Sequence, residues 1–128
     1  MTEFTKWNEP AIRVLMMPRD TNAHGTIFGG IVLSYVDQAG AIEARRQGSR
    51  NMVTVSMDKI VFHSPVFVGD LVSFWTETLK IGRTSITTRV IVKASRGTEM
   101  NDSVLVTEAQ VVYVNVDENR RPTPIRGE

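Results

Sequence analysis

The sequence contains no cysteine among its 128 residues. This absence excludes disulfide bonds, thiolate metal sites and a cysteine nucleophile, and it is typical of proteins kept in the reducing cytoplasm. The two histidines, His24 and His63, have no cluster of ligand partners near them in the sequence, and no glycine-rich nucleotide fingerprint follows a strand. We therefore expect no metal, no cofactor and a cytoplasmic location.

An excess of one charge and long hydrophobic runs are missing as well. Fifteen basic residues balance fourteen acidic ones, so no net field attracts nucleic acid or a membrane surface. No apolar run reaches the roughly 18 residues that span a bilayer, and the first residues lack the pattern of a signal peptide. A chain of this length and 41% hydrophobic content can form one core. We expect a single domain over 1–128, with an irregular tail from about 119.

Apolar periodicity predicts one strand, one helix and then four more strands. The first strand is predicted over 11–17, where Pro18 stops it. The helix is predicted over about 28–47, with Thr26 as its N-cap and Gly48 as its C′ residue. The later strands are predicted at 52–63, 70–81, 84–95 and 103–117.

The last two predicted strands each place alternate residues on one face of a sheet. These residues are Ile86, Thr88, Val90, Val92 and Ala94 in one strand, and Leu105, Thr107, Ala109, Val111 and Tyr113 in the other. Long antiparallel strands with one apolar face favour a curved sheet around the single helix. The sequence therefore predicts an α+β fold.

The predicted helix is apolar on almost every side and carries the carboxylate of Asp37. A helix that is apolar all round is buried on most sides, and a buried carboxylate must be paired, hydrogen-bonded or protonated. Small residues three, four or seven positions apart share a face with Asp37, which leaves room there for a second backbone or a ligand. They are Gly30, Ser34, Gly40, Ala41 and Ala44.

Gly29 and Gly30 open this helix directly after a polar, turn-prone segment. Backbone N–H groups in the first turn have no intrahelical partner and lie at the positive end of the helix dipole. They are natural donors to an oxyanion, while Asp37 is a candidate general base or nucleophile. The sequence leaves the choice between these two roles open.

The spacing of these groups predicts a site shared between two chains. Asp37 follows Gly29 by eight residues, which is ~12 Å along a helix. A reacting carbonyl must lie ~3 Å from both the oxyanion donor and the base or nucleophile. We therefore expect Gly29 of one chain to face Asp37 of its partner.

The motifs together resemble the hotdog-fold acyl-CoA thioesterases of the YciA-like and cytosolic acyl-CoA hydrolase family, over roughly residues 10 to 117. The resemblance implies a long helix wrapped by a curved antiparallel sheet of about five strands. It also implies at least a homodimer with sheets joined edge to edge, commonly assembled into a homohexamer. The matching residues are Met17-Pro18, Asp20 to Ala23, Gly25, Ile27 to Gly30, Ser34 to Asp37, Gly40 to Ile42, Pro65, Val68 to Asp70 and Gly82 to Ile86.

The resemblance also assigns roles outside the helix. It implies that Asn22 crosses to the partner chain and orients the water or the Asp37 carboxylate, although Asn22 is also a typical Asx-turn residue. It places the segment of Arg83, Thr84 and Ser85 against the pantetheine–phosphate arm of CoA, where Arg83 is able to pair with phosphate. Arg83 as a solvated turn residue remains the alternative.

Two further residues of the glycine-rich segment are predicted to contact the substrate. Phe28 precedes the two glycines, and His24 stands where the family usually carries a neutral polar residue. Ser56-Met57-Asp58 also departs from the family pattern, and both departures bear on substrate preference.

The function that these features imply is hydrolysis of fatty acyl-CoA to a free fatty acid and CoA. One alternative is a hotdog hydratase or dehydratase that pairs Asp37 with His24. The other is a non-catalytic acyl-CoA-binding protein. A DNA-binding regulator of that kind needs an extra module, for which about ten residues before the first strand leave no room.

Overall fold

The computed structural model describes residues 9–97 and 102–125. One long helix packs on one five-stranded antiparallel sheet, which confirms the predicted α+β architecture. The strands lie in the order β1-β3-β4-β5-β2, so that β1 and β2 form the two edges. The elements are β1 Ile12–Leu15, α1 Gly29–Arg46, β2 Met52–Phe62, β3 Leu71–Ile81, β4 Ser85–Ser95 and β5 Ser103–Asn115.

Helix α1 packs on the face of the sheet formed by β3, β4 and β5. Fully buried apolar side chains from the helix and the sheet meet there; they include Val32, Val36, Phe74, Ile86, Val90, Val92 and Val111. The far side of the helix is less covered, with Ser34 and Gln38 exposed and Leu33 half-buried. The prediction that α1 is buried on most sides is therefore wrong for a single chain, because one sheet covers only one side. Within the described ranges, no helix has both the length and the hydrophobicity needed to cross a bilayer.

The start of α1 differs from the prediction, whereas its end agrees. Phe28, not Thr26, is the N-cap residue, and no side chain caps the helix. The Thr26 hydroxyl instead accepts a hydrogen bond from Nδ2 of Asn22 at 2.9 Å. At the other end, Gly48 has a φ of +107°, and its N–H donates to the carbonyl of Arg45 at 3.0 Å. This left-handed C′ glycine ends the helix as predicted.

Strand β5 contains an extra residue that breaks the predicted alternation. Val92 pairs with Thr107, but the next residue, Lys93, pairs with Leu105. Val106 between them is buried, so the bulge moves Leu105 to the outer face of the sheet. The prediction that Leu105 shares a face with Thr107 is therefore wrong.

The most buried carboxylate of the helix is Glu43 rather than Asp37. The Glu43 side chain is fully inaccessible, and it accepts hydrogen bonds from the hydroxyls of Thr76 at 3.0 Å and Thr78 at 2.6 Å. Hydrogen bonds of this kind offset the cost of burying a carboxyl group. The signal available in the sequence was the pair of threonines two positions apart, which share one face of β3.

The segment after β5 has no helix or strand of its own, but it packs back on the domain. The N–H of Thr123 donates to the carbonyl of Asn115 at 2.9 Å, and that of Ile125 donates to the carbonyl of Arg83 at 3.0 Å. The side chain of Ile125 is buried. The predicted tail is thus irregular in conformation and ordered by contacts through residue 125.

Candidate active site

The Asp37 carboxylate lies half-buried where α1 faces β2 and β5. The hydroxyl of Thr54 donates a hydrogen bond to Oδ1 of Asp37 at 2.8 Å. The hydroxyl of Tyr113 donates to the backbone carbonyl of Asp37 at 2.6 Å and lies 3.2 Å from Oδ1. Sequence reasoning missed both partners, since they lie 17 and 76 residues away along the chain.

Strand pairing explains why these two hydroxyls meet at Asp37. Thr54 and Tyr113 are directly opposite each other on β2 and β5, and Ser56 is opposite Val112. Val55 is therefore an extra residue in β2. Bulges of this kind re-aim side chains and occur often beside active sites.

The Tyr113 hydroxyl is a permanent donor at neutral pH. Burial raises the pKa of Tyr113 well above its usual value of about 10. The negative charge of Asp37 and the hydrogen bond to it raise that pKa further. The hydroxyl therefore keeps its proton and supports the helix at the residue that carries the carboxylate.

Gly40 provides the space for this tyrosine. A Cβ at Gly40 would lie less than 3.0 Å from the hydroxyl oxygens of both Tyr113 and Thr88. The small-residue face that was expected to leave room for a second backbone or a ligand is filled at Gly40 by the Tyr113 hydroxyl. The prediction is wrong at that position, because the sheet approaches the helix closely there.

The raised pKa of Tyr113 predicts a specific loss of stability in alkali. The unfolded chain releases this proton near pH 10, whereas the folded chain holds it, so the stabilisation is complete below pH 10 and declines as pH rises above 10. We expect the free energy of unfolding of Tyr113→Phe, measured by urea titration from pH 8 to about 11, to fall less steeply than that of the unmodified protein. Tyr35→Phe removes the other tyrosine hydroxyl as a control, and equal slopes in all three proteins would contradict the prediction.

The two glycines lie at the first turn of α1, away from Asp37. The first N–H groups to bond within the helix are those of Ile31 and Val32, which donate to the carbonyl of Phe28 at 3.1 and 3.3 Å. The N–H groups of Gly29 and Gly30 have no partner in the part of the chain that the structure describes. Their position matches that expected of oxyanion donors.

A mainly apolar cavity of about 360 Å³ opens beside Gly29. The side chain of Phe62, at the end of β2, lies against Gly29: a Cβ there would be 3.5 Å from the ring. The cavity is lined by Ile27, Gly29, Val32, Phe62, His63, Ser64, Pro65 and Val66. It therefore joins the start of the helix to the loop after β2.

Arg96 fixes the loop that forms one wall of this cavity. Its guanidinium donates to the carbonyl of Pro65 at 2.6 Å and to Oδ2 of Asp70 at 3.2 Å, and it lies 4.8 Å from the centre of the Phe67 ring. Asp70 is buried and also accepts from the N–H of Phe67 at 2.9 Å. Sequence reasoning noted the Val68-Gly69-Asp70 motif but not Arg96, since the arginine follows the end of β4, 26 residues after Asp70.

Asn22 is engaged inside its own loop. Its Oδ1 accepts from the N–H of His24 at 2.8 Å and from that of Thr26 at 3.2 Å, and its Nδ2 donates to the Thr26 hydroxyl. This is the Asx-turn alternative. Nearby, His24 and Phe28 are exposed, and 51% of Phe28 is accessible.

Arg83, Thr84 and Ser85 lie at the turn between β3 and β4, beside the last described residues. The carbonyl of Thr84 accepts from the N–H of Asn115 at 2.7 Å, and the carbonyl of Ser85 accepts from that of Gly82 at 2.8 Å. Since Asn115 ends β5 and pairs with the start of β2, this turn is near the C-terminal end of α1. One chain therefore keeps the turn, Asp37 and the two glycines in three separate places.

Arg89, on β4, forms ion pairs with two carboxylates of the neighbouring strands. Its guanidinium pairs with Glu108 at 2.5 Å and with Glu77 at 3.2 Å. The hydrogen bond to Glu108 is the main cause that raises the pKa of Arg89. Across 9–97 and 102–125, no three His, Asp or Glu side chains cluster as metal ligands would.

Comparison with known proteins gives a consistent family. The family model described as "Thioesterase superfamily" matches residues 24–101. The acyl-CoA thioester hydrolase YciA of Salmonella typhimurium is 39% identical over 123 residues, which are 94% of this chain and 92% of that protein.

Solved structures agree with that result. Cj0915, a hexameric hotdog fold thioesterase of Campylobacter jejuni, superposes with a TM-score of 0.84 at 42% identity, over 92% of this chain and 90% of that one. HI0827 is a hexameric broad specificity acyl-coenzyme A thioesterase, whose aspartate-to-alanine mutant was crystallised. It superposes with a TM-score of 0.85 at 37% identity, over 91% of this chain and 85% of that one.

Proposed function

This chain belongs to the thioesterase superfamily, and we propose that it is an acyl-CoA thioester hydrolase, which releases a free fatty acid and CoA. The observation that carries the proposal is the half-buried carboxylate of Asp37 on the mainly apolar helix α1. The hydroxyl of Thr54, on β2, donates a hydrogen bond to this carboxylate. YciA and HI0827, both named for this activity, are 39% and 37% identical to the chain. Substrate preference within the fatty acyl-CoA class is a further property to measure.

In the proposed reaction, Asp37 acts on the thioester carbonyl either as a general base or as a nucleophile. As a base it takes a proton from water, whose oxygen attacks the carbonyl carbon; the carbon–sulfur bond then breaks and CoA leaves as the thiol. As a nucleophile it forms an acyl anhydride and expels CoA, and water then hydrolyses the anhydride. Incorporation of labelled oxygen from water into Asp37 during a single turnover would indicate the anhydride route.

We assign the oxyanion site to the N–H groups of Gly29 and Gly30 of one subunit and the reacting carboxylate to Asp37 of the partner subunit. The support is the distance of ~12 Å that eight helical residues place between these groups within one chain. Edge strand β2 supports pairing with a second sheet, because an open edge carries unpaired backbone groups. Its exposed apolar side chains are Val53, Val55, Val61 and Phe62.

Further assembly into a hexamer is proposed from the solved relatives. Cj0915 and HI0827 are both hexameric, and they cover more than nine-tenths of this chain at TM-scores of 0.84 and 0.85. A trimer of edge-to-edge dimers is the arrangement that the family resemblance implies. The homodimer is the smallest unit that would complete the proposed site.

The remaining predicted residues receive the following roles as proposals. The apolar cavity beside Gly29 takes the acyl chain, with Phe28 at its exposed rim and His24 in the adjoining loop. The Asx turn of Asn22 holds this loop in place, and Asn22 crosses to the partner subunit to orient the water or the Asp37 carboxylate, as the resemblance implies. Arg83 pairs with a phosphate of CoA, and the backbone of Thr84 and Ser85 meets the pantetheine arm.

A thiol-release assay across straight-chain acyl-CoAs of increasing length tests the proposed function. We expect turnover of several of them, because the cavity is mainly apolar and open at the helix start. The matched controls are an oxygen ester of the same acyl group, which releases no thiol, and the Asp37→Ala protein. If no acyl-CoA releases thiol while one of them binds, the chain is a non-catalytic acyl-CoA-binding protein and the proposal is wrong.

We further propose that the enzyme works without a cofactor and in the cytoplasm. The chemistry described needs only a carboxylate, water and backbone donors. The same thiol-release rate before and after dialysis against a chelator is the expected result. The cytoplasmic location is the one that the resemblance to the cytosolic acyl-CoA hydrolase family implies.

A further inference from the structure

A second cavity lies on the outer face of the sheet, the face that α1 does not cover. Side chains alternate across a strand, and Val72 and Phe74 are buried in the core, so Ser73 between them points outward. The volume of this outer-face cavity is about 270 Å³, just below the ~300–1,000 Å³ of sites for drug-sized ligands. The residues that line it include Arg13, Leu71, Ser73, Trp75, Lys93 and Ser103.

Strand register brings two positive side chains to this cavity. Arg13 on β1 is directly opposite Ser73 on β3, and Ser73 is directly opposite Lys93 on β4. Neighbouring strands lie about 4.8 Å apart. Nε of Arg13 donates a hydrogen bond to Oγ of Ser73 at 2.9 Å, so the guanidinium lies over β3, next to the strand that carries Lys93. Both positive groups therefore border the same space.

No carboxylate balances these two charges. In the part of the chain that the structure describes, Arg13 and Lys93 form no ion pair, and no aspartate or glutamate lines the cavity. On the same face, the carboxylate of Glu108 is engaged with Arg89 instead. Like charges that lie side by side on a sheet destabilise it. An anion between Arg13 and Lys93 would remove this repulsion.

The cavity also has an apolar wall. Leu71 and Trp75 flank Ser73 on the outer side of β3, and both are half-buried. The face of an indole ring packs well against another planar ring, while hydroxyl and guanidinium groups donate hydrogen bonds to phosphate oxygens. A ligand that combines an anionic group with a planar or apolar body fits this arrangement.

We propose that the outer-face cavity binds a small organic phosphate, with the phosphate group between Arg13 and Lys93 and the organic part against Trp75. Arginine suits a phosphate because its guanidinium presents several N–H donors in a fixed fork. The hydrogen bond from Nε to Ser73 leaves both terminal nitrogens of Arg13 for the ligand. The cavity is on the opposite side of the sheet from Asp37, so this ligand is distinct from the acyl chain of the substrate.

Calorimetric titration of the assembled protein with phenyl phosphate tests the proposal. Inorganic phosphate and phenol supply the two parts of this probe separately. We expect phenyl phosphate to bind saturably, and more weakly as NaCl is raised, because salt screens exposed charges. Inorganic phosphate should bind about 2- to 10-fold more weakly, since it lacks the ring, and phenol more weakly still. Absence of saturable binding of phenyl phosphate up to about 10 mM would overturn the proposal.

Substitution of the cations locates the phosphate. Arg13→Gln and Lys93→Gln each remove one positive charge, and we expect each to weaken phenyl phosphate binding about tenfold, as loss of a hydrogen bond to a charged group does. Lys80→Gln is the matched control, because it removes an exposed lysine of β3 that does not line the cavity. It should change the affinity less than about twofold. Unchanged affinity in both Arg13→Gln and Lys93→Gln would overturn the proposal.

Trp75 supplies a spectroscopic readout. The sequence contains one other tryptophan, Trp7, so Trp7→Phe leaves Trp75 as the sole indole. We expect phenyl phosphate to change the fluorescence of this variant with the same midpoint as in calorimetry. Trp75→Phe should keep the preference for phenyl phosphate over inorganic phosphate, whereas Trp75→Leu should lose it.

Two outcomes would overturn the contact with Trp75. One is a preference for phenyl phosphate that persists in Trp75→Leu, and the other is unchanged fluorescence of the Trp7→Phe protein at saturation. The fluorescence decides if Trp75→Leu fails to fold. None of these measurements uses thiol release, so their failure would leave the proposed thioesterase function standing.

Discussion

Subunits that carry Gly29→Pro, mixed with subunits that carry Asp37→Asn, are expected to recover activity that neither variant has alone. Asp37→Asn removes the base or nucleophile, for which we expect a loss of about 10²- to 10⁴-fold. Gly29→Pro removes one oxyanion donor. Proline suits this place, because Gly29 is the first residue of α1 and the preceding Phe28 has an extended ψ of 132°.

The amount recovered distinguishes a shared site from a site within one chain. If Gly29 of one subunit works with Asp37 of the partner subunit, each mixed dimer contains one intact site and one doubly damaged site. Random exchange at equal concentrations then leaves about a quarter of all sites intact in two-fold symmetric dimers. A site within one chain leaves none, and activity would stay at the level of the separate variants.

Two matched variants make this mixing experiment specific. Gly29→Ala keeps the N–H, and its Cβ meets Phe62 at an ordinary contact distance of 3.5 Å, so we expect it to be active on its own. Asp58→Asn alters an exposed aspartate of β2 and should also be active. Exchange of subunits, verified by mass spectrometry of differently tagged chains, without recovery of activity would contradict the shared site.

The order and extent of the elements were largely predictable from the sequence. The helix predicted over 28–47 is Gly29–Arg46, and the four later strands end within two residues of their predicted limits. Local signals explain this success: proline and glycine end the elements, and periods of 3.6 and 2 distinguish the helix from the strands. The resemblance to the hotdog thioesterases is likewise confirmed by the family match and by solved relatives.

The groups that hold the candidate site were not predictable in this way. Thr54 reaches Asp37 because of a one-residue bulge in β2, and no residue at that bulge gives it a sequence signature. Tyr113 belongs to a clear alternating pattern in β5. This pattern predicts which face of the sheet carries the tyrosine, but not which residue its hydroxyl bonds. Outside the site, the burial of Glu43 is a similar case: a glutamate near the end of a helix favours an exposed position, but the hydroxyls of Thr76 and Thr78 on β3 donate hydrogen bonds to it in the interior. Each of these contacts depends on the pairing register of the strands and on where the helix packs on the sheet.

Gly40→Ala is expected to destabilise the protein, against the normal effect of alanine in a helix. Alanine usually favours a helix over glycine by about 1 kcal/mol. Here the new Cβ would lie within 3.0 Å of the Tyr113 and Thr88 hydroxyl oxygens, both on buried side chains. Overpacking of this kind typically costs about 1–3 kcal/mol, and displacing Tyr113 also breaks its hydrogen bond to Asp37, worth about 1 kcal/mol.

A double mutant identifies the tyrosine as the cause. Tyr113→Phe removes the nearer of the two hydroxyls, so adding Gly40→Ala to it should cost less free energy of unfolding than adding Gly40→Ala to the unmodified protein. The expected coupling is about 0.5–3 kcal/mol, measured by urea denaturation of the four proteins. Gly30→Ala is the control, because a Cβ there meets nothing within 4 Å.

The same substitution should also reduce activity more than it reduces the folded fraction. Gly40 lies one helical turn after Asp37, and the hydroxyl that it accommodates donates to the Asp37 carbonyl. Moving Tyr113 therefore moves the helix backbone under the carboxylate. A Gly40→Ala protein that is as stable as the unmodified one, or a cost that is the same with and without the Tyr113 hydroxyl, would mean that Gly40 is not required for the close approach of β5 to the helix.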